Sequence, residues 1–229
     1  MIDPVYVASR AYIETTAVPR EALAAAVGCS EEALARIAAA GAMPAPTYVV
    51  LPDAIRSPIR DLGNGHGPGH AYFGPATLWW LRRAALVEGE VAAAMETWFA
   101  ADFRHALLRQ AEDARTHAWS HLFDAHGMLD EPAFDVEVAE LCSDWLGGGW
   151  AVCLQRWDGH HVVTKNLERA RIAAMTDEGR RDLSDAERLA LLDAIARLDA
   201  VMLPFAPYER PHGTPGLFID AMRERYRLY

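Results

Sequence analysis

Apolar residues along this chain recur mostly at three- and four-residue intervals, the spacing of a helix that buries one face. Residues 19–28 and 30–41 are the first two such segments. Pro19 suits a first helical turn and Gly28 a helix stop. Ser30 is a good N-cap, followed by Glu31 and Glu32 at the positive end of the helix dipole, and Gly41 terminates the segment. Two short helices joined by Gly28-Cys29-Ser30 predict a helix-turn-helix. Pro44 and Pro46 then keep the stretch through Pro52 extended.

Residues 53–75 are rich in Gly, Pro and His and read as a loop. A helical tract covers about 75–125, broken near Gly89; its second part, 90–125, would be about 50 Å long at the helical rise. Further helices are predicted at about 132–146, 162–175, 184–203 and 215–227. Ser184 with Glu187 makes a capping box, and Pro204 stops that helix. Gly147–Gly149 interrupts the series, and the apolar segment 150–157 reads equally as strand or helix. The expected fold is all-α: a helical bundle around one long helix over residues 51–229, with a small helix-turn-helix module over residues 1–50.

Composition narrows the function classes. The 229 residues are 52% apolar and carry a net charge of −10. A nucleic-acid binder needs a basic surface to displace counterions, and an anionic membrane repels such a chain. The second helix of the N-terminal pair offers Arg36 alone against Glu31 and Glu32, so a scaffold or homodimer contact is expected of it rather than base reading. Three cysteines without a CxxC pair, and an N-terminus that is neither signal peptide nor membrane span, predict a cytoplasmic protein.

One residue stands out chemically. Lys165 is the only lysine, against 21 arginines. Lysine can lose its proton and serve as base or nucleophile, which arginine cannot. On its helix the apolar stripe is Val163, Leu167, Ala170 and Ala174, and Lys165 points off it. Lys165 therefore acts chemically only if a second packed surface covers its face. Asp113, His117 and His121 stand at i, i+4 and i+8 of the long predicted helix, where they would share one face and reach a divalent metal, zinc or iron. Ala118 follows His117, which excludes the zinc-protease pattern. His70, with His66, sits in the glycine-rich loop as a candidate acid or base.

The C-terminal part has the most character: a Gly147–Gly149 turn leading through Trp150 to Cys153, then Thr164-Lys165-Asn166-Leu167, then a capped helix ending Leu198-Asp199, then Phe205-Ala-Pro207-Tyr-Glu209-Arg210. Cys153 would need a neighbouring cation to become a thiolate, and Lys165 is the obvious one. Otherwise it is a small core residue between Val152 and Leu154. Arg210 could clamp a carboxylate, or with Glu209 form a local ion pair that fixes the turn. This order of blocks resembles a bacterial family of natural-product biosynthesis proteins, domain-of-unknown-function 6058, and Met43–Val50 adds to the likeness. Gly148-Gly149-Trp150-Ala151 stands where that family has Gly-Thr-Tyr-Gly, which removes any role for the tyrosine hydroxyl. The resemblance implies a gene-cluster enzyme or an accessory protein.

The expected function is an enzyme of specialised metabolism acting on a small polar, amino- or carboxylate-bearing substrate. Lys165, Cys153 and His70 are the candidate catalytic residues. Arg210, Glu209 and Trp150 would bind substrate, and Asp113, His117 and His121 a metal. The alternative is a non-catalytic accessory protein that binds a biosynthetic enzyme or carrier protein.

Overall fold

The computed structural model describes residues 3–228. The chain opens with a helix that the apolar spacing did not announce, α1 (Pro4–Thr16). Asp3 caps it by accepting from the Val5 amide at 2.8 Å, and Pro4 occupies the first turn. Helices α2 (Leu23–Val27) and α3 (Glu31–Ala39) follow, with Gly28 in the left-handed region between them and Ser30 as the α3 cap.

The expectation of an all-α fold needs correction. The protein is mostly helical, yet it also holds a small antiparallel sheet of four strands, β1 (Val18–Pro19), β2 (Tyr48–Val50), β3 (Ile55–Arg56) and β4 (His70–Phe73), in the order β1-β4-β2-β3. Three of these strands are two or three residues long. The alternation that marks a strand needs four or more residues, so none of the three carries a readable signal. The sheet joins segments on both sides of residue 50, the expected module boundary. Ile13 of α1, Leu34 of α3 and the buried residues of the C-terminal half lie in one continuous core.

The remaining helices are α4 (Pro75–Ala84), α5 (Val91–Arg109), α6 (Ala111–Thr116), α7 (Glu131–Leu146), α8 (Gly159–Thr176), α9 (Asp185–Val201) and α10 (Ala221–Tyr226), the last preceded by a π-helical turn at Pro215–Asp220. The long predicted helix stops at Arg109. Phe103 and Trp119 show why: their ring centroids are 5.3 Å apart, whereas sixteen residues of straight helix would separate them by about 24 Å. The chain turns back after α5 to bury Ala114, Trp119 and Leu122. Segment 150–157 becomes neither strand nor helix; it is a series of turns tied to the end of α9 by a Leu154–Met202 bridge.

Helix α8 runs between α5 and α9 and is buried around most of its circumference. Its start is pinned to α5. The Gly159 amide donates to Asp102 Oδ2 at 2.7 Å, and a Cβ on Gly159 would lie 2.4 Å from the Asp102 carbonyl oxygen. Beside this crossing, the Trp157 ring stacks on Trp145 at 4.9 Å and on Phe99 at 4.7 Å. Among the described residues, no helix is long and apolar enough to cross a membrane.

Candidate functional site

Lys165 is buried, with 6% of its surface exposed. The second packed surface that its role requires is the turn segment before α8: its Nζ lies 4.0 Å from the centre of the Trp150 ring, and Cys153 on the same segment is close enough to influence its charge. The apolar stripe read from the sequence is only part of the buried surface: Val163 and Leu167 are buried and Ala174 is exposed, while Lys165 and Glu168 are buried off the stripe.

The structure thus brings together Lys165, Cys153 and Trp150, three of the sequence-predicted site residues. It does not make Cys153 a thiolate. Burial pushes the thiol above the ordinary cysteine range, and Lys165 offsets this only in part. Burial also pushes the Lys165 ammonium below the usual lysine range, and Arg169, one turn further along α8, adds to that shift. Neither residue lines the cavity between α5, α8 and α9 or the shallow depressions beside Arg210 and Arg169.

The other predicted residues lie elsewhere. Glu209 is 1% exposed and accepts hydrogen bonds from Tyr48 at 3.0 Å, Tyr208 at 3.2 Å and the Ser57 hydroxyl. Burial raises its pKa above the ordinary glutamate value, with the three hydroxyl donors opposing. Arg210 has three of its five N–H donors engaged: two reach Asp220, at 2.7 and 2.8 Å, and a third the Pro204 carbonyl at 2.6 Å. These bonds tie it to the turn before α10, and it also lines a shallow depression with Tyr12 and Phe205. His70 is exposed on β4, opposite Val50.

The histidine stripe is not formed, because its premise was a continuous helix through residue 125. Asp113 lies in α6 and pairs with Arg171 at 2.7 Å; His117 is the residue that ends α6. His121 sits in a separate 3-10 turn and contacts Glu137 at 2.9 Å. Among the described residues, no group of three or more His, Cys, Asp or Glu side chains is placed to hold a metal ion.

The most developed site is one the sequence reading passed over. A cavity of about 740 Å³ opens between α5, the start of α8 and α9. Asp158 caps α8, its Oδ1 accepting from the His161 amide at 2.9 Å and lying 2.7 Å from His161 Nδ1. A carboxylate only accepts, so Nδ1 carries the proton and Nε2 is the free nitrogen. Burial pushes Asp158 up, but its bonds to His161 outweigh this and hold it below the usual aspartate value.

Glu168 forms part of the cavity wall; it is 1% exposed and paired with Arg197 at 2.8 Å and Arg171 at 2.7 Å. Arg109 and Arg156 also line the cavity, and neither forms an ion pair or side-chain hydrogen bond among the described residues. The readable signal was Asp158 followed by His161 three positions on, at the head of a helix whose start was set at 162.

The model of one protein family matches residues 95–227. The chain belongs to the family of unknown function DUF6058. The match to DUF6058 runs from within α5 to the end of α10, so it contains the α5–α8–α9 cavity, the Lys165 cluster and Glu209. Outside it lie the sheet and α1–α4, which still reach the family region through Tyr48 and Ser57 on Glu209. No curated protein and no solved structure matches the chain.

Proposed function

We propose that the protein is an enzyme of bacterial specialised metabolism acting on a small carboxylate-bearing substrate in the α5–α8–α9 cavity, with His161 as general acid–base. The observation that carries this reading is His161 on the cavity wall with Asp158 hydrogen-bonded to its Nδ1. A carboxylate on Nδ1 fixes the tautomer and ring orientation and stabilises the imidazolium that forms when Nε2 takes a proton. Arg109 and Arg156 supply cationic donors for a substrate carboxylate, the role first expected of Arg210. The cavity volume is that of an ordinary small-molecule site.

Lys165 has no part in this chemistry. It is a buried cation on α8 that holds the 150–153 turns against the helix through Trp150. Helices α2 and α3 act in this reading as a helix-turn-helix scaffold; the Arg36 guanidinium is already engaged by the Val87 carbonyl at 2.9 Å. A reducing compartment fits Cys29, Cys142 and Cys153, which are free thiols.

The test compares the purified protein with its His161→Asn variant on a polar metabolite extract of producing cells, read by mass spectrometry. A carboxylate-bearing compound consumed by the wild type and spared by a folded variant supports the reading. Equal consumption by both, or none by the wild type, overturns it.

A further inference from the structure

The residues that line the α5–α8–α9 cavity carry an excess of positive charge. Arg109, Arg156 and Arg197 are set against two carboxylates, Asp102 and Glu168. Asp102 accepts the Gly159 amide, and Glu168 is shared between Arg197 and a further arginine, Arg171. Arg109 and Arg156 are both exposed at the cavity and form no ion pair among the described residues. In a chain of net charge −10, such a wall favours an anion from solution.

Contacts between the helices fix where these two arginines stand. Gly159, at the start of α8, meets Asp102 of α5, and Arg171, near the end of α8, meets Asp113 just beyond α5. Helices α5 and α8 therefore run in the same direction. Helix α9 runs the other way: the Gln155 amide donates to the Val201 carbonyl at 3.2 Å, whereas Arg197, one turn earlier on α9, reaches Glu168 at 2.8 Å. The cavity thus has two ends. Arg156 stands at one with Asp102 and Val201, and Arg109 at the other with Glu168 and Arg197. Asp102 and Arg109 are separated by about 10 Å of helix. His161 is on the wall between the two ends, since it lies between Gly159 and Glu168 on α8.

We infer that the substrate is a dicarboxylate, one carboxylate on Arg109, the other on Arg156, with the chain between them passing His161. This rests on the reading of the cavity as the substrate site and deepens it. A guanidinium fork matches a planar carboxylate in a bidentate pair. The separation of the two arginines along α5 suits two anionic groups on one molecule rather than a joint grip on one.

Calorimetric titration of the full chain with the series malonate to suberate, and with the monocarboxylate of equal chain length, tests the assignment. One length of dicarboxylate should bind best, about tenfold or more tighter than its monocarboxylate. Arg109→Gln and Arg156→Gln should each remove that advantage and the preference for length, while the monocarboxylate, free to use either end, weakens only about twofold. Both side chains are exposed, so the variants should melt close to wild type, and the length series in the unaltered protein decides without them. Equal affinity for the two classes of acid, or monocarboxylate binding lost in either single variant, overturns the inference. Tighter binding of the phosphono analogue of the best dicarboxylate overturns the second carboxylate. Binding is read without turnover, so it is separable from the His161 chemistry. A dicarboxylate that binds as expected and is not consumed supports this inference while the catalytic reading fails. A consumed compound with a single anionic group overturns this inference while the catalytic reading stands.

Discussion

Lys165 Nζ lies 4.0 Å from the centre of the Trp150 ring, and this contact is made inside the core rather than at the surface. A desolvated ammonium over an indole face gains a cation–π attraction, yet it loses its hydration.

That loss makes Lys165 a source of pH-dependent stability. Its folded pKa is below the ordinary 10.5, so between those two values the unfolded chain binds more protons than the folded one. Stability should rise with pH across that window. The thiols of Cys29, Cys142 and Cys153, all pushed above 9.0 by burial, contribute with the opposite sign as the pH approaches that value, so the difference between wild type and a variant without the Lys165 charge isolates the lysine. Urea unfolding of wild type and Lys165→Met at a series of pH values up to the ordinary 10.5 checks this. Lys165→Met, which keeps the stem and removes the charge, should flatten the slope and cost little stability. Lys165→Ala should lose about 2–4 kcal/mol by leaving a cavity.

Glu209 gives the second pH effect. Its folded pKa is above 4.5, so the folded chain binds the extra proton as pH rises from that value. Stability contributed by this site is therefore lost as pH rises through the folded pKa. Denaturant midpoints from pH 4 to 8 should show this fall for wild type and not for Glu209→Gln. Glu209→Ala should cost about 3 kcal/mol, since the Tyr48, Ser57 and Tyr208 hydroxyls lose their common acceptor.

Arg210 and Asp220 are expected to behave as one structural unit. Each side chain is about a third to a half exposed, at 33% and 46%. Arg210→Ala and Asp220→Ala should each therefore cost about 1 kcal/mol, and the double variant little more than either alone. A thermodynamic cycle from urea unfolding measures this. Additive losses would mean that the pair does not hold the turn before α10.

Gly159→Ala should disturb the α5–α8 crossing more than a single methyl suggests. The new Cβ would stand 2.4 Å from the Asp102 carbonyl oxygen and 2.6 Å from Phe103 Cα, both backbone atoms that cannot rotate away. A loss of about 2 kcal/mol or more is expected. The NMR shifts of His161, two residues on, should move with it. A variant with wild-type stability would show that α8 can start elsewhere.

The sequence by itself determined the features whose partners lie within a few residues. The helix over 184–203 appears as Asp185–Val201 because the Ser184–Glu187 capping box closes on itself. Gly28 adopts its left-handed conformation between α2 and α3, and Ser30 caps α3, as their local chemistry requires.

Tertiary structure decided the rest. The sheet pairs Val18 with Phe73 and Tyr48 with Tyr72, matches between segments too short to announce themselves. The predicted helix over 90–125 broke because burying Trp119 against Phe103 is worth more than continuing the helix into solvent. Asp113, His117 and His121 lost their shared face for the same reason. Lys165 became buried because α8 is packed on nearly every side, and a helix without a solvent face has no single apolar stripe to read. Local hydrogen bonds are written in adjacent residues. A cavity wall is assembled from α5, α8 and α9, whose residues are distant along the chain and meet only when the core closes.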